Sequence, residues 1–262
     1  MRPLYLIRQK SKRPRYQPAV SNSGLWYDKY CATWETSSSR RWTLDDAHRR
    51  NWLDSFVHQA LGDARLIGEY VRRQAELLRA RGAEPLTLCT TSRFLPGHGS
   101  DHPSGNGFAF HPTLGVPYLA GSSVKGVTRA WAERWQSADA ALVARVFGSP
   151  EQTGAVIFLD ALPTAPVQLE LDVVTPHHVA YYRGAAVPAD WNTPQTTTFV
   201  AVSQATNFQF GIMASRPKDA QSLADAEQAR AWLVEALEWI GAGARTSVGY
   251  GRFELVGELT SP

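Results

Sequence analysis

The sequence contains few of the features that mark secreted, membrane or metal-rich proteins. It has only two cysteines, Cys31 and Cys89, which are too few for a four-thiolate zinc site. We expect both to be reduced and buried, because a lone disulfide is rare in a reducing compartment. No uninterrupted apolar run approaches the roughly 20 residues of a membrane-spanning helix. Residues 1–8 also lack the apolar stretch of a secretory signal, so we expect a cytoplasmic protein with no membrane partner.

Positive charge is concentrated at the start of the chain. Residues 1–50 hold eleven lysines and arginines against four acidic residues, a balance of +7, whereas the whole chain carries +3. Basic residues at positions 8, 10, 12, 13 and 15 are interleaved with Pro14, Tyr16 and Pro18. This pattern is typical of a flexible arm that contacts a polyanion or an acidic protein surface, and also of a solvated tail.

Changes in composition divide the chain into three predicted parts. Residues 1–42 are rich in serine, proline and basic side chains, which predicts an irregular, basic N-terminal extension. Residues 43–82 carry apolar residues at helical spacing and are expected to pack on the core as a helical segment. Residues 83–262 alternate strand and helix patterns and form the predicted main domain.

The helical segment has recognisable start and stop signals. Thr43 followed by Asp46 is a variant of the capping box, so we expect the first helix to begin there. Gly62 is expected to divide the segment into two helices, and Gly82 to end the second.

The element order of the main domain predicts an α+β fold. A strand, a helix, two strands, a second helix and a final strand form the ferredoxin-like split βαβ that RNA-recognition domains share. We expect strands near 86–94, 155–161, 167–174, 196–202, 208–213 and 251–259, and helices beginning at Ser122 or Ser123 and spanning 223–240. Residues 175–193, rich in proline and aromatic side chains, interrupt this order and are expected to project as a thumb-like insertion; an aromatic flap that covers the core is the alternative.

Two loops carry most of the functional information, and the first is the Lys125 segment, residues 114–129. Its lysine follows a valine and precedes a glycine, so it is not a Walker A loop. Gly121 allows close backbone approach, Ser122 and Ser123 offer hydroxyls, and a helix N-terminus attracts phosphate. Lys125 and Arg129 lie one turn apart, away from the apolar stripe. The segment indicates either phosphate binding or ordinary capping with solvated charge.

The second is the glycine loop, residues 241–252. Its glycine spacing differs from the dinucleotide-binding fingerprint, and it precedes a strand rather than following one, so we expect no nucleotide cofactor. Its composition suits a backbone that approaches a sugar-phosphate chain, with Tyr250 stacking on a base. A purely structural turn is the alternative. The predicted RNA-binding residues of the two loops are Gly121, Ser122, Ser123, Lys125, Arg129, Gly243, Arg245, Thr246, Ser247, Gly249, Tyr250, Gly251 and Arg252.

Four sequence blocks in order resemble the RAMP superfamily: 115–126 (GVPYLAGSSVKG), 147–161, 171–182 and 241–251 (GAGARTSVGYG). In detail the chain resembles the family that forms the sixth subunit of type III-B, or Cmr, CRISPR effector complexes. Two positions depart from the pattern: Ala120 replaces a usual proline, and Arg245 replaces a common lysine. Neither change removes charge or glycine geometry.

The resemblance implies a non-catalytic subunit that holds the 3′ part of the guide RNA (crRNA). It also implies contacts with target RNA, neighbouring RAMP backbone subunits and the small helical subunit. Target cleavage is expected from a different subunit. Such complexes hold the guide by phosphate and sugar contacts and leave sequence recognition to base pairing.

The alternative is a metal-independent RAMP endoribonuclease that acts on CRISPR RNA through a histidine. Candidate groups are His98, Asp101, His102 and His111 ahead of the Lys125 segment, and His177 and His178 in the insertion. We expect none of them to be catalytic and no metal site among them. Asp160 and Asp172 lie in or beside predicted strands and are expected to be structural.

Overall fold

The structure, a computed structural model, describes residues 15–31, 35–36, 42–100, 102, 107–175, 184, 187 and 196–257. The basic positions 8, 10, 12 and 13, Asp101 and almost all of the predicted thumb-like insertion lie outside the described residues. In chain order, the described elements are α1 (Ser23–Lys29), β1 (Glu35–Thr36), β2 (Trp42–Thr43), α2 (Asp46–Asp54), β3 (Ala60–Leu61), α3 (Ala64–Ala80), β4 (Leu86–Thr90), α4 (Gly121–Arg134), α5 (Ala140–Phe147), β5 (Val156–Phe158), β6 (Leu162–Pro163), β7 (Val167–Val174), β8 (Thr197–Val202), β9 (Asn207–Phe210), β10 (Ile212–Ala214), α6 (Ala220–Trp239) and β11 (Phe253–Leu255).

A four-stranded antiparallel sheet forms the centre of the molecule, in the order β11-β4-β9-β6. Together with α4 after β4 and α6 after β10, this is the strand order of the ferredoxin-like fold, so the α+β prediction is confirmed. Strands β5 and β10 also pair antiparallel, and this pair extends the β6–β9 pair beyond the four-stranded sheet. The sheet buries Phe208, Phe210 and Phe253 completely or almost completely.

Helices α4, α5 and α6 are joined by polar contacts across their packed faces. Trp131 Nε1 in α4 donates to Glu235 Oε2 in α6 at 2.8 Å. Arg145 in α5 donates two hydrogen bonds to Asp225 of α6, at 2.9 and 3.0 Å. Because Asp225 is almost fully buried, this pair fixes α5 against α6. No helix among the described residues is long and apolar enough to cross a membrane.

The helical segment before β4 forms two helices, as predicted, with Gly62 at a φ of +103° between them. The predicted capping box at Thr43 is wrong. Asp45 caps α2 instead, and its carboxylate accepts from the His48 amide at 2.8 Å. Asp45 directly precedes the helix, so its short side chain reaches an amide of the first turn.

Part of the N-terminal extension is ordered against the core, so the prediction of an irregular segment is wrong for residues 23–29. Helix α1 begins after Asn22, whose side chain accepts from the Leu25 amide. Trp26 and Tyr27 are buried, and Tyr16 stacks on Trp26 with ring centroids 5.1 Å apart. Burial of these aromatic rings outweighs the serine- and proline-rich composition on which the prediction rested.

A long hairpin of β7 and β8, with β3 at its edge, stands beside the central sheet. Its bounds agree closely with the predicted strands. Backbone hydrogen bonds join Phe94 and Val202 in both directions, at 3.0 and 2.8 Å. The hairpin therefore lies against the chain that leaves β4.

Candidate nucleic-acid interface

The glycine loop connects α6 to β11 and is fixed to the chain that leaves β4. The Ala244 amide donates to Leu95 O and the Gly251 amide to Arg93 O, both at 2.8 Å. The Thr91 amide donates in turn to Arg252 O at 2.9 Å. These bonds give the loop a rigid base beside the β7–β8 hairpin.

Two glycines of the loop are required by its geometry. Gly251 has a φ of +70°, and a Cβ there would lie 1.9 Å from the carbonyl oxygen of Ala242. Gly243 has a φ of +83°, and a Cβ would lie 2.7 Å from Leu95 O. Both positions combine a left-handed backbone with close backbone contact, which only glycine tolerates. Gly249 also has a positive φ, +95°, but faces open space.

Arg245 stands at the turn of the loop in a left-handed conformation, with φ of +61°. Its guanidinium carbon lies 5.3 Å from the centroid of the Phe199 ring and 5.4 Å from that of Tyr250. Among the described residues, no side chain forms an ion pair with it. Two aromatic rings thus orient a guanidinium whose hydrogen-bond donors remain available for an anion.

Tyr250 is held by a network that includes a residue the sequence analysis missed. Its hydroxyl donates to Asp172, which also accepts from Arg93 Nη1 at 2.8 Å. Arg93 Nε donates to Glu170 at 2.8 Å. Asp172 therefore has the structural role that we expected. We call these four residues the Arg93 network.

The pKa values within the network agree with these hydrogen bonds. Burial tends to raise the pKa of Asp172, but hydrogen bonds from the Tyr250 hydroxyl and the Val173 amide, with the charge of Arg93, more than offset it and the pKa is lowered. Burial and then the hydrogen bond to Asp172 raise the pKa of Tyr250. At neutral pH Asp172 is therefore an ionised acceptor and Tyr250 a protonated donor.

The remaining predicted residues of the loop have different surroundings. Thr246 and Ser247 lie in a short 3₁₀ turn, Thr246–Val248, and Ser247 is exposed. Arg252 points into the loop: its Nη2 donates to Thr246 O at 3.4 Å and its amide to Ser92 Oγ at 3.0 Å. The structure gives Arg252 a role in bracing the loop.

A polar groove of about 370 Å³ lies between the glycine loop and the β7–β8 hairpin. We call it the Arg93 groove; its lining residues are Ser92, Arg93, Glu170, Gln204, Val248, Gly249 and Tyr250.

The Lys125 segment begins its helix differently from the prediction. Helix α4 starts at Gly121 with Ala120 at the cap position, so the predicted caps Ser122 and Ser123 are wrong. The Gly121 amide donates to Asp160 Oδ1 at 2.7 Å. This carboxylate already satisfies one of the free amides of the helix start, which confirms a structural role for Asp160. Ser122 and Ser123 are exposed.

The two basic residues of α4 differ in their surroundings. Arg129 Nε donates to Glu133 at 2.7 Å, an exposed ion pair one turn apart. Lys125 borders a cavity of about 320 Å³ formed with residues 147–154. Lys125 and Arg129 thus face the 147–154 turn, whereas Arg245 and Tyr250 face the β7–β8 hairpin.

The two clusters lie at opposite ends of β4. The Gly121 amide is bonded to Asp160, between β5 and β6, and this stretch pairs with the part of the β9–β10 segment that lies beside Leu86, the first residue of β4. The glycine loop is bonded instead to Arg93 and Leu95, which follow the last residue of β4.

The three described candidate histidines occupy different environments. His98 packs on Phe199 at 5.1 Å, and burial and then the charge of Arg245 lower its pKa. His102 lies 3.4 Å from Asp28. His111 Nδ1 is 3.3 and 3.2 Å from two following backbone amides. His177 and His178 lie outside the described residues. Within the described ranges, no three His, Cys, Asp or Glu residues could hold a metal ion.

The family model of the RAMP superfamily matches residues 87–254, more than half of the chain. The chain belongs to the RAMP superfamily. The match begins within β4 and ends within β11. It therefore covers the ferredoxin-like core of this RAMP protein, together with the β7–β8 hairpin and the whole glycine loop.

Two curated relatives of this RAMP protein are named Cmr6, a subunit of a CRISPR system. The protein from Saccharolobus solfataricus is 31% identical over 153 residues, covering 57% of this chain and 49% of the relative. The protein from Pyrococcus furiosus is 35% identical over 118 residues, covering 41% of this chain and 33% of the relative. The chain thus matches about half or less of the length of these relatives.

A solved structure has the same fold. It is a cryo-EM structure of the type III-B Cmr-beta complex bound to cognate target RNA. One of its chains superposes with a TM-score of 0.61 at 24% identity, covering 80% of this chain and 72% of that chain. The ferredoxin-like RAMP fold is thereby confirmed.

Proposed function

We propose that this chain is a non-catalytic subunit of a type III-B (Cmr) CRISPR effector complex. In this role it holds the 3′ part of the guide RNA and supports recognition of target RNA in antiviral defence. The similarity to two Cmr6 subunits supports the assignment to this type of complex. The main domain, residues 83–262, makes the RNA contacts. The complex acts in the cytoplasm.

The observation that carries the proposal is the presentation of Arg245 by the glycine loop. The loop holds two arginines and no acidic residue. Arg252 braces it from inside, while Arg245 is oriented by Phe199 and Tyr250 and has no ion-pair partner among the described side chains. An oriented, unpaired guanidinium suits a phosphate of an RNA strand.

Contacts of this kind hold a guide without reading its sequence. A guanidinium on a phosphate recognises the backbone, which is the same at every nucleotide. Lys125 and the exposed hydroxyls of Ser122 and Ser123 offer the same chemistry separately, at the start of α4. Base pairing between guide and target then supplies the sequence specificity.

Partner contacts are assigned to the other parts of the chain. The basic extension, residues 1–42, and the predicted thumb-like insertion near 175–193 contact neighbouring RAMP subunits, the small helical subunit or the guide–target duplex. No cofactor is required for this role, because it consists of binding and positioning.

Crosslinking of RNA to the complex that co-purifies with this chain tests the proposal. Mass spectrometry should find guide RNA crosslinked to peptides containing residues 121–129 or 241–252, and the crosslinks should come from the 3′ portion of the guide. A nuclease assay of the purified chain, with and without a chelator, should show no cleavage of CRISPR RNA.

The endoribonuclease alternative makes the opposite forecast. Metal-independent cleavage by the purified chain that is abolished by His98→Ala or His102→Ala would replace the binding role by a catalytic one. Absence of crosslinks in both regions would remove the assignment of the two loops as RNA contacts.

A further inference from the structure

The Arg93 groove has a chemistry different from that of the Arg245 surface beside it. Its volume of about 370 Å³ lies at the lower end of the range of roughly 300–1,000 Å³ found for small-molecule sites. Arg93 uses two of its five N–H donors on Glu170 and Asp172, so further donors remain. The side chain of Glu170 is 40% exposed, and Gln204, whose amide group can both donate and accept, is an exposed residue. Hydrogen-bond donors and acceptors therefore line the same groove, and the ion pairs of Arg93 hold its side chain in place.

The charge of the groove disfavours a phosphate. Arg93 is the single cation among the lining residues, and its guanidinium is already paired with Glu170 of the lining and with Asp172, which lies outside the lining, at 2.8 Å each. Arg245 lies over the Tyr250 ring and has no carboxylate partner among the described residues. A phosphate is therefore drawn to Arg245, and the groove suits a neutral ligand with both donors and acceptors.

Tyr250 connects the two sites. Its hydroxyl is fixed on Asp172, its ring lies 5.4 Å from the Arg245 guanidinium, and it also forms part of the groove wall. A nucleotide whose phosphate binds Arg245 can extend past this ring. Its base then reaches the Tyr250 ring and the polar side chains of the groove. Proteins hold unstacked bases by such aromatic contacts and hydrogen bonds.

We propose that the Arg93 groove is a subsite for one unstacked nucleobase of the bound RNA. The inference rests on the proposed function, since it takes the phosphate contact at Arg245 as given. Arg93, Glu170 and Gln204 bind the polar edge of the base, and Tyr250 contacts its face. The groove thereby sets which nucleotide of the strand leaves the stack beside the glycine loop.

Titration of the full chain with the four nucleoside 5′-monophosphates and with ribose 5-phosphate separates the base from the phosphate. Dissociation constants are measured by ligand-observed NMR. At least one nucleotide should bind about 5- to 140-fold more tightly than ribose 5-phosphate, as stacking of one base contributes roughly 1–3 kcal/mol. Gln204→Ala should weaken that nucleotide about 2- to 12-fold, the value of one hydrogen bond, and leave ribose 5-phosphate unchanged. The matched control is Gln228→Ala, at an exposed glutamine of α6. It should change the dissociation constant of neither the nucleotide nor ribose 5-phosphate.

Failure of the groove and failure of the proposed function give different results. Equal binding of nucleotides and ribose 5-phosphate, with both weakened by Arg245→Ala, overturns the base subsite and retains the RNA-binding role. Absence of binding by all five small probes, with an RNA oligonucleotide still bound through Arg245, likewise overturns the subsite alone. If neither the probes nor the oligonucleotide bind, both proposals are wrong.

Discussion

The hydroxyl group of Tyr250 donates a hydrogen bond to the carboxylate of Asp172, 78 residues earlier in the chain. The contact joins the glycine loop to strand β7, and Asp172 is held in turn by Arg93. Tyr250 is therefore a fixed wall of the Arg93 groove, and its ring also contacts Arg245. This contact therefore helps to orient both sites.

Tyr250→Phe removes the hydrogen bond and keeps the ring. Because the contact is only partly buried, we expect the free energy of unfolding to fall by roughly 1–2 kcal/mol, measured by urea denaturation. RNA affinity, measured by fluorescence anisotropy, should fall several-fold because the loop is less well positioned. Tyr70→Phe on α3 is the control, with no expected change in RNA affinity. Wild-type RNA affinity in Tyr250→Phe would show that the loop does not need Asp172.

The two basic residues of α4 should contribute unequally to RNA binding. Glu133 partly neutralises Arg129 through their ion pair at 2.7 Å, whereas Lys125 faces a polar cavity. Lys125→Ala should therefore weaken RNA binding more than Arg129→Ala. Glu133→Gln should strengthen binding, because it removes a negative charge and frees Arg129. These three affinities at one fixed salt concentration test the assignment, and weaker binding by Glu133→Gln would contradict it.

Glycine at 251 should be far less replaceable than glycine at 249. Both have positive φ, but only a Cβ at 251 meets backbone, at 1.9 Å from Ala242 O. Gly249→Ala should cost about 1 kcal/mol of stability. Gly251→Ala should cost several times more, or displace the loop and abolish RNA binding. Thermal unfolding of the two variants makes the comparison, and equal melting temperatures would contradict the loop geometry.

The pair of Arg145 and Asp225 should make stability depend on acidic pH. Hydrogen bonds from Arg145 hold the pKa of Asp225 below its usual 3.8. The carboxylate is thus ionised more readily in the folded state, so its contribution is complete above pH 3.8 and disappears as the pH falls through the lower folded value.

Asp225→Asn should therefore reduce the free energy of unfolding by about 1.5–3 kcal/mol at pH 7. Its difference from wild type should shrink as the pH approaches about 2. Urea denaturation at pH 7 and at about pH 2 measures the free energy of unfolding of both proteins. Asp54→Asn, at an exposed aspartate, is the control. A difference that is the same at both pH values would show that the charge of Asp225 is not responsible.

Most of the fold could be predicted from the sequence, because its strands and helices have strong local patterns. The alternation in 167–174 marks β7 to the residue, and the glycines at 62 and 82 mark breaks that the structure confirms. Two caps and the helices α1 and α5 were missed. The cap of α4 comes from Asp160, 39 residues beyond the amide that it accepts, and α1 is stabilised by distant aromatic packing. Local patterns carry no information on such contacts.

The candidate site could be predicted only in outline. Motif and composition identify Arg245 and Tyr250, but the inward orientation of Arg252 depends on how the loop folds over Thr246. Arg93 has no motif of its own. Its partners Glu170 and Asp172 are 77 and 79 residues away in the chain, so only the folded structure brings the three together.

The most direct test of the RNA-holding role is the salt dependence of RNA affinity for wild type, Arg245→Ala and Arg65→Ala. Arg65 is an exposed arginine on α3 and serves as the matched loss of charge. The logarithm of the binding constant should fall less steeply with the logarithm of salt in Arg245→Ala, by about 0.7 for one lost single-strand phosphate contact. Affinity should fall equally for RNAs of different sequence, and Arg65→Ala should match wild type. An unchanged slope and affinity in Arg245→Ala would contradict the account.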